Sequence, residues 1–251
     1  MTVPALEITG LCKNFGALAV TRNIDLTLGV GARHALIGPN GAGKTTLLNQ
    51  ITGLLRPTAG RIALFGQDVT AASPETRVRR GLVRTFQINS LFNGLSVAEN
   101  LGLADAAVRR RDGRLWGRHA GRSGLSDPIA ELLERLDLLP LAAARIDSLA
   151  YGQRRLVEIA LALALRPKVL LLDEPAAGIA SGESARLFEI LMKLPADIAV
   201  LVIEHDMQLV FRFAETLTVL VDGGVLVEGP VETVRADQRV RDVYLGRRHH
   251  D

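Results

Sequence analysis

Cysteine is almost missing from this chain: Cys12 stands alone among 251 residues. An intramolecular disulfide is therefore excluded, which suits a reducing compartment. Cys12 has no evident catalytic partner and reads as an ordinary strand residue. Aromatics are scarce at 4%, so Leu, Val, Ile and Ala must do most of the core packing. No run of eighteen apolar residues occurs, so no membrane-spanning helix is expected. The opening "MTVPALEITG" lacks a basic stretch followed by an apolar one, and no signal peptide is expected. A large excess of one charge is lacking too. The net +3 rests on 30 basic and 27 acidic residues and demands no nucleic-acid partner. Fixed-period repeats and low-complexity tracts are absent.

What is present is globular composition. Hydrophobic residues make up 48% of the chain, enough for a sizeable core. The length admits one large domain or two small ones. Much of the basic excess sits in "RVRR" at 77–80, "RRRDGRLWGRHAGR" at 109–122 and "GRRHH" at 246–250. These stretches read either as solvated loops or as contacts to an anionic surface. Trp116, among the arginines of the second stretch, could lie at lipid headgroups, with a solvated loop as the competing reading.

Hydrophobic periodicity divides the chain. "ALEITGL", "AVTRNIDLTL", "RHALIG" and "GRIALFG" read as strands, and "KTTLLNQITGLL" has helical spacing. From about Ser96 to Leu165 the pattern is helical, in "SVAENLGLADAAV", "DPIAELLERLDLL" and "GQRRLVEIALALAL". Past Pro167 strand and helix alternate again: "KVLLLDEP", "GESARLFEILMKL", "IAVLVIEHD", then "TLTVLVDGGVLVEG" as two strands on a Gly-Gly turn. "VETVRA" and "VRDVYLG" read as closing helices. The expectation is one α/β body split by a helical insertion.

Gly38, Pro39, Asn40, Gly41, Ala42, Gly43, Lys44 and Thr45 fit the phosphate-loop pattern G-x-x-x-x-G-K-S/T. The pattern follows a predicted strand and opens a predicted helix, which is the context it needs. Glycines let backbone amides turn inward around phosphate oxygens, and the helix N-terminus adds positive partial charge. Lys44 can reach the β- and γ-phosphates, the Thr45 hydroxyl can ligate magnesium, and Thr46 is placed for the α-phosphate. Downstream, "VLLLDEP" ends an apolar strand on two carboxylates. Strand alternation would point Asp173 and Glu174 different ways, Asp173 toward magnesium and Glu174 toward an attacking water. A solvated acidic turn is the alternative. His205, after the apolar strand of "VLVIEHD", is placed to touch the γ-phosphate or that water, against a purely structural histidine.

Taken together, the phosphate loop, "TFQ" at 85–87, "LAYGQ" at 149–153, "LLLDEP" at 170–175 and "EHD" at 204–206 resemble the nucleotide-binding subunits of ABC transporters, in that family's order. The resemblance spans nearly the whole chain. It implies an α/β fold: a P-loop NTPase core with an antiparallel β subdomain and a helical subdomain insertion. Within one domain, 1–251, it implies a RecA-like core with the β subdomain over 1–87 and 166–251, and a helical signature subdomain over 88–165. The cofactors implied are ATP and Mg2+, the latter held by Thr45, Gln87 and Asp173. Glu174, His205 and Gln87 are the implied catalytic residues. Phe15 in "KNFG" resembles the ring that stacks on adenine, with a core Phe as the alternative. Asn40, Gly41, Ala42, Gly43, Lys44, Thr45 and Thr46 would cradle the phosphates.

The signature segment Tyr151, Gly152 and Gln153 would serve the nucleotide held by a second ATP-binding subunit, identical or related, stacked head to tail. The segment "INSLFNGLSVAEN" resembles the surface that grips transmembrane permease subunits, with Leu91 and Phe92 as contacts and packing inside the insertion as the other reading. A substrate-binding protein would be an indirect partner, nucleic acid would not, and the location implied is peripheral, on the cytoplasmic face of the inner membrane.

"LAYGQRRLVEIA", "LLLDEPAAG", "VIEHDM" and "VYLG" resemble the ATPases of importers of branched-chain and related amino acids or amides. An exporter motor for lipopolysaccharide and a soluble ATPase of iron–sulfur cluster assembly are the alternatives. A nucleic-acid repair or translation role ranks last, because the chain has neither a long coiled-coil insertion nor two fused halves. Two positions depart from the family pattern. Ala150 and Tyr151 replace a serine and a glycine of the usual signature, and Ala180 stands where relatives usually carry Asp or Asn that connects two active sites. Ala150 removes one hydrogen bond to phosphate, and at Ala180 weaker coupling between the sites, without loss of hydrolysis, is the expected consequence.

Overall fold

The computed structural model describes residues 3–85, 91–111 and 126–245. In chain order the elements are β1 (Leu6–Phe15), β2 (Leu18–Leu28), β3 (Arg33–Ile37), α1 (Lys44–Thr52), β4 (Ala59–Leu64), β5 (Gln67–Asp68), α2 (Pro74–Arg79) and β6 (Leu82–Arg84). Then come α3 (Val97–Arg111), α4 (Asp127–Arg135), α5 (Tyr151–Ala164), β7 (Val169–Asp173), α6 (Ser181–Met192) and β8 (Ala199–Ile203). The chain continues through α7 (Met207–Phe213), β9 (Thr216–Val221), β10 (Gly224–Pro230), α8 (Val231–Ala236) and α9 (Gln238–Leu245). Helices α2 and α7 were not expected from the sequence. They are six and seven residues long.

The chain divides into two compact units. The first holds Met1–Leu82, Lys168–Pro175 and Pro195–Asp251. It contains an antiparallel sheet of order β2-β1-β4-β5 and a sheet whose strands within this unit follow the order β10-β9-β3-β8-β7. Within the latter, β3 runs parallel to both β8 and β9, and β7 runs parallel to β8. Because β3 is buried on both faces, it is apolar without alternation after His34. Leu36 packs with Leu47, Leu48 and Ile51 of α1 and with Leu6, Ile8 and Leu26 of the antiparallel sheet. Ala35 and Ile37 face the opposite way, toward Val210, Val231, Val234 and Val240 of α7, α8 and α9. Each fully buried Leu, Ile or Val contributes about 1.5–3 kcal/mol relative to exposure.

The β9–β10 turn corrects one expectation. Val221 pairs with Gly224, so the two-residue loop is Asp222–Gly223, not Gly-Gly. Both residues are left-handed, with φ of 48° and 81°, as a tight hairpin twisted like its strands requires.

Arg77 is 1% exposed, yet it has no carboxylate within its hydrogen bonds. Its Nη1 donates to the carbonyls of Gln50 and Ile51, each at 2.6 Å, its Nη2 to Thr70 O at 3.0 Å, and its Nε to Ala72 O at 3.2 Å. The guanidinium thus satisfies the C-terminal carbonyls of α1, the pole opposite the phosphate loop, where a cation is favoured.

A second buried polar group crosses the central strands. His34, 1% exposed, lies 2.7 Å from Thr218 Oγ1 through Nε2, and Thr218 Oγ1 donates to Glu228 Oε2 at 2.6 Å. With the threonine proton committed to Glu228, His34 Nε2–H must be the donor in the first bond. Burial pushes the His34 pKa down to about 4. An unfolded histidine titrates near 6.5, so between those values the unfolded chain binds a proton that the folded chain refuses. The stability from neutral His34 is complete above about pH 6.5 and is lost as pH falls toward 4, by about 3 kcal/mol. Urea unfolding of the native protein should therefore weaken across this window more steeply than that of His34→Gln. Equal slopes would count against the assignment.

The second unit holds Val83–Pro167 and Ala176–Leu194. It is helical, built on α3, α4, α5 and α6. A capping box opens α3: Glu99 N–H donates to Ser96 Oγ at 3.2 Å, and Ser96 N–H donates to Glu99 Oε2 at 2.7 Å. Buried Asp105 of α3 takes Arg109 at 2.6 Å and the Ser126 hydroxyl at 3.0 Å, tying α3 to the start of α4. No helix among the described residues is long and apolar enough to cross a membrane.

Candidate functional site

Three neighbouring strands of the first unit end at one level. Leu36 of β3 pairs with Ile203 of β8, and Ile203 pairs with Asp173 of β7. Past those residues come the phosphate loop, the pair Asp173–Glu174 and the segment Glu204–Asp206. The carboxyl ends of parallel strands are where α/β sheets bind ligands. The register therefore brings together three motifs that lie far apart in sequence.

The loop's shape is enforced from behind. A Cβ on Gly38 would stand 2.2 Å from Leu220 O, and one on Gly43 would stand 2.7 Å from Val20 O. Gly41 has φ +80°, and a Cβ there would meet no protein atom within 4 Å. So Gly38 and Gly43 are demanded by the packed side, and Gly41 by its backbone conformation on the open side. Gly223 was missed from the sequence. Its N–H donates to Ala42 O at 3.1 Å, and its carbonyl accepts from Arg22 N–H at 2.7 Å, so the β9–β10 turn braces the loop against β2. Gly43 caps α1 with φ 99° and offers no side chain to the helix, leaving the first-turn amides for a ligand.

Lys44 is 6% exposed and donates through Nζ to Gly38 O at 2.7 Å and Pro39 O at 3.0 Å. Burial lowers its pKa, and the charges of Glu174 and Asp173 oppose that shift. Asn40, Gly41 and Thr45 are exposed, while Ala42 and Gly43 are buried and Thr46 is half-buried.

The two carboxylates do not diverge by strand alternation as expected. Strand β7 stops at Asp173, and Glu174 has left-handed backbone with φ 47°. Its N–H donates to Ile203 O at 2.9 Å, which holds the strained turn in place. Both carboxylates consequently act on Lys44. Glu174 Oε1 lies 2.7 Å from His205 Nε2, so the histidine donates to the carboxylate. In "EHD" the roles are split. Glu204 is 4% exposed and accepts from His205 N–H at 3.0 Å, and Asp206 caps α7 by accepting from Gln208 N–H at 2.8 Å.

Phe15 is 51% exposed at the end of β1, which excludes the core alternative. It pairs with exposed Leu18 across the hairpin, and Lys13 Nζ stands 5.1 Å from its ring centre. Buried Gln50 links this hairpin to α1: its Oε1 accepts from Thr21 Oγ1 at 3.0 Å and its Nε2 donates to Cys12 O at 3.1 Å. Nothing in the periodicity marked it. Gln87 and Trp116 lie outside the described residues.

The second unit carries the signature segment at the start of α5. Tyr151 is 52% exposed and Gly152 half-buried. Gln153 Oε1 accepts from Ala150 N–H at 3.0 Å, so its side chain closes the helix end. Ala150 has no oxygen for the reciprocal bond. Ala180 is the N-cap of α6 without a side-chain bond. Asp or Asn there would also cap the helix, worth about 1 kcal/mol. Leu91 and Phe92 part company. Leu91 is buried at 8% and packs inside the unit, contrary to its expected contact role, while Phe92 is 61% exposed. Buried Asn100 clamps the Phe92 backbone, accepting from its N–H at 2.8 Å and donating to its carbonyl at 3.2 Å.

Comparison with known proteins agrees with this arrangement. The family model described as ABC transporter matches residues 21–177. The chain belongs to the ABC transporter family. It is an ATP-binding subunit of that family and an ATPase coupled to transport. A second model, of a branched-chain amino acid ATP-binding cassette transporter, matches residues 225–250 of this ABC ATPase. The chain is 36% identical to the high-affinity branched-chain amino acid transport ATP-binding protein BraF of Pseudomonas aeruginosa, over 98% of this chain and 99% of that protein. It is 38% identical to LivG of Escherichia coli, a protein of the same description, with the same coverage. Among solved structures, the ADP conformation of an ATP-binding cassette of an ABC transporter superposes with a TM-score of 0.83 at 30% identity, covering 98% of this chain and all of that one. A nucleotide-free cassette gives a TM-score of 0.81 at 30% identity, covering 96% and 98%.

Proposed function

We propose that this ABC ATPase powers import of branched-chain or related amino acids or amides. In this reading it docks on membrane permease subunits at the cytoplasmic face of the inner membrane, pairs with a second ATP-binding subunit, and is served indirectly by a substrate-binding protein. The observation that carries the reading is the near full-length match to BraF and LivG, joined by the C-terminal model at 225–250. Lipopolysaccharide export and iron–sulfur cluster assembly are not favoured by these matches.

The loop Asn40–Thr46 would hold the phosphates of ATP and Phe15 its adenine. Thr45, Asp173 and Gln87 would hold magnesium. A hydroxyl and a carboxylate suit that ion, which usually takes few protein ligands beside phosphate oxygens and water. When bound, it neutralises charge on the β- and γ-phosphates. Lys44 counters the same charge from the loop side. Glu174 is the general base for water, and His205, already bonded to it, fixes the carboxylate and can turn a donor to the γ-phosphate. Tyr151, Gly152 and Gln153 would complete the partner's site. Phe92, presented by Asn100, would meet a permease helix.

The reading is tested by vesicles carrying the chain with its two permeases and binding protein. Leucine, isoleucine or valine outside should raise Mg-ATP hydrolysis and enter the lumen. Stimulation by none of these amino acids or their amide relatives would overturn the cargo class.

A further inference from the structure

We infer that Tyr151 is a positioning residue that ties the phosphate-reading turn to the chain segment leaving Glu174. This rests on the function proposed above. Tyr151 Oη donates to Ala177 O at 3.2 Å, and Ala177 lies three residues after Glu174 in sequence. Gly178, at φ +75°, lies under the tyrosine ring; a Cβ there would stand 3.2 Å from Tyr151 Cε1 and 3.4 Å from its Oη. A second close approach lies one residue further along α5, at Gly152. A Cβ on Gly152 would stand 2.6 Å from Glu183 Oε2, at the first turn of α6. Arg155 lies 5.7 Å from the Tyr151 ring centre and is itself held by Glu158 at 2.9 Å.

A ring that is 52% exposed has little hydrophobic reason to be fixed so closely. The neighbouring side chains leave the task to it. The Ala150 side chain has no polar atom, Gln153 is committed to its own helix end, and Ala180 cannot hydrogen-bond through its side chain. Phosphate arriving at the turn 150–153 would shift Tyr151, and with it Ala177 and the backbone from which Glu174 projects. Each protomer thereby links the site it completes for its partner to the carboxylate of its own site.

The test uses the full-length chain in its ATP-hydrolysing assembly. Tyr151→Phe keeps the ring and removes only the hydroxyl. It should lower kcat about fivefold, at the low end of ordinary site–site coupling, and bring the Hill coefficient to about 1, with KM for ATP changed less than twofold. Gly178→Ala, which pushes on the same ring, should produce the same split, and the double variant should lose no more than either single one. Native kcat and Hill coefficient in Tyr151→Phe, a native Hill coefficient already near 1, or additive losses would each overturn the link. A native chain without ATPase activity overturns the function and the link together; an active native chain with an unaltered Tyr151→Phe variant overturns the link alone.

Discussion

Glu174→Gln should bind nucleotide normally and hydrolyse it about 10²–10⁴-fold more slowly, the usual contribution of a positioned general base. The substitution preserves size and the ability to accept from His205, which now bonds the carboxylate at 2.7 Å. What it removes is the capacity to take a proton from water. The location argues for that role. Glu174 stands one residue past the end of β7, in left-handed backbone fixed by its bond to Ile203 O at 2.9 Å. A carboxylate in an ordinary solvated turn would have no reason to carry such strain. With turnover blocked, ATP should hold two subunits together, visible as an ATP-dependent dimer on size exclusion. Hydrolysis at the native rate would remove Glu174 from the base role.

Lys44→Met should lower turnover about 10²–10³-fold, as removal of one preorganised electrostatic donor does, and should also weaken nucleotide binding. Methionine keeps much of the aliphatic stem and deletes the charge. Two costs coincide. The β- and γ-phosphates lose their cation, and Asp173 and Glu174, both of which act on Lys44, face the polyphosphate uncompensated. The carbonyls of Gly38 and Pro39 also lose the donor that now spans them. Nucleotide titration and steady-state ATPase measured on the same preparation check both parts. Loss of binding with unchanged kcat at saturation would restrict Lys44 to uniform binding of ground and transition states.

The parts of the site that were readable in advance are those with local causes. The loop 38–45 is legible because positive φ at Gly41 and Gly43 and close backbone approach at Gly38 each demand glycine at a fixed spacing. The apolar runs before Asp173 and Glu204 are legible because strands buried on both faces read as near-continuous apolar runs. The parts that were not legible depend on what lies across space. Leu91 and Phe92 are adjacent and both apolar, yet one is buried and the other exposed, since an irregular segment has no period to separate them. Gly223 looked like half of a Gly-Gly turn and proved to brace the phosphate loop. Gln50 and Asn100 looked like polar positions within helices, and each is buried to tie a neighbouring segment in place.

By itself the amino-acid order determined the chemistry: a phosphate loop, a strand ending in two carboxylates, a histidine after another strand, and a glycine-led helix. Those are short-range patterns, set by backbone conformation and by the repeat of apolar side chains. The tertiary structure decided which of them meet. Parallel pairing of β3, β8 and β7 set three strand ends level, which no spacing in the chain encodes. It also decided that Glu174 diverges through a left-handed turn and that Tyr151 reaches Ala177, because both depend on hydrogen bonds between segments that only folding brings together.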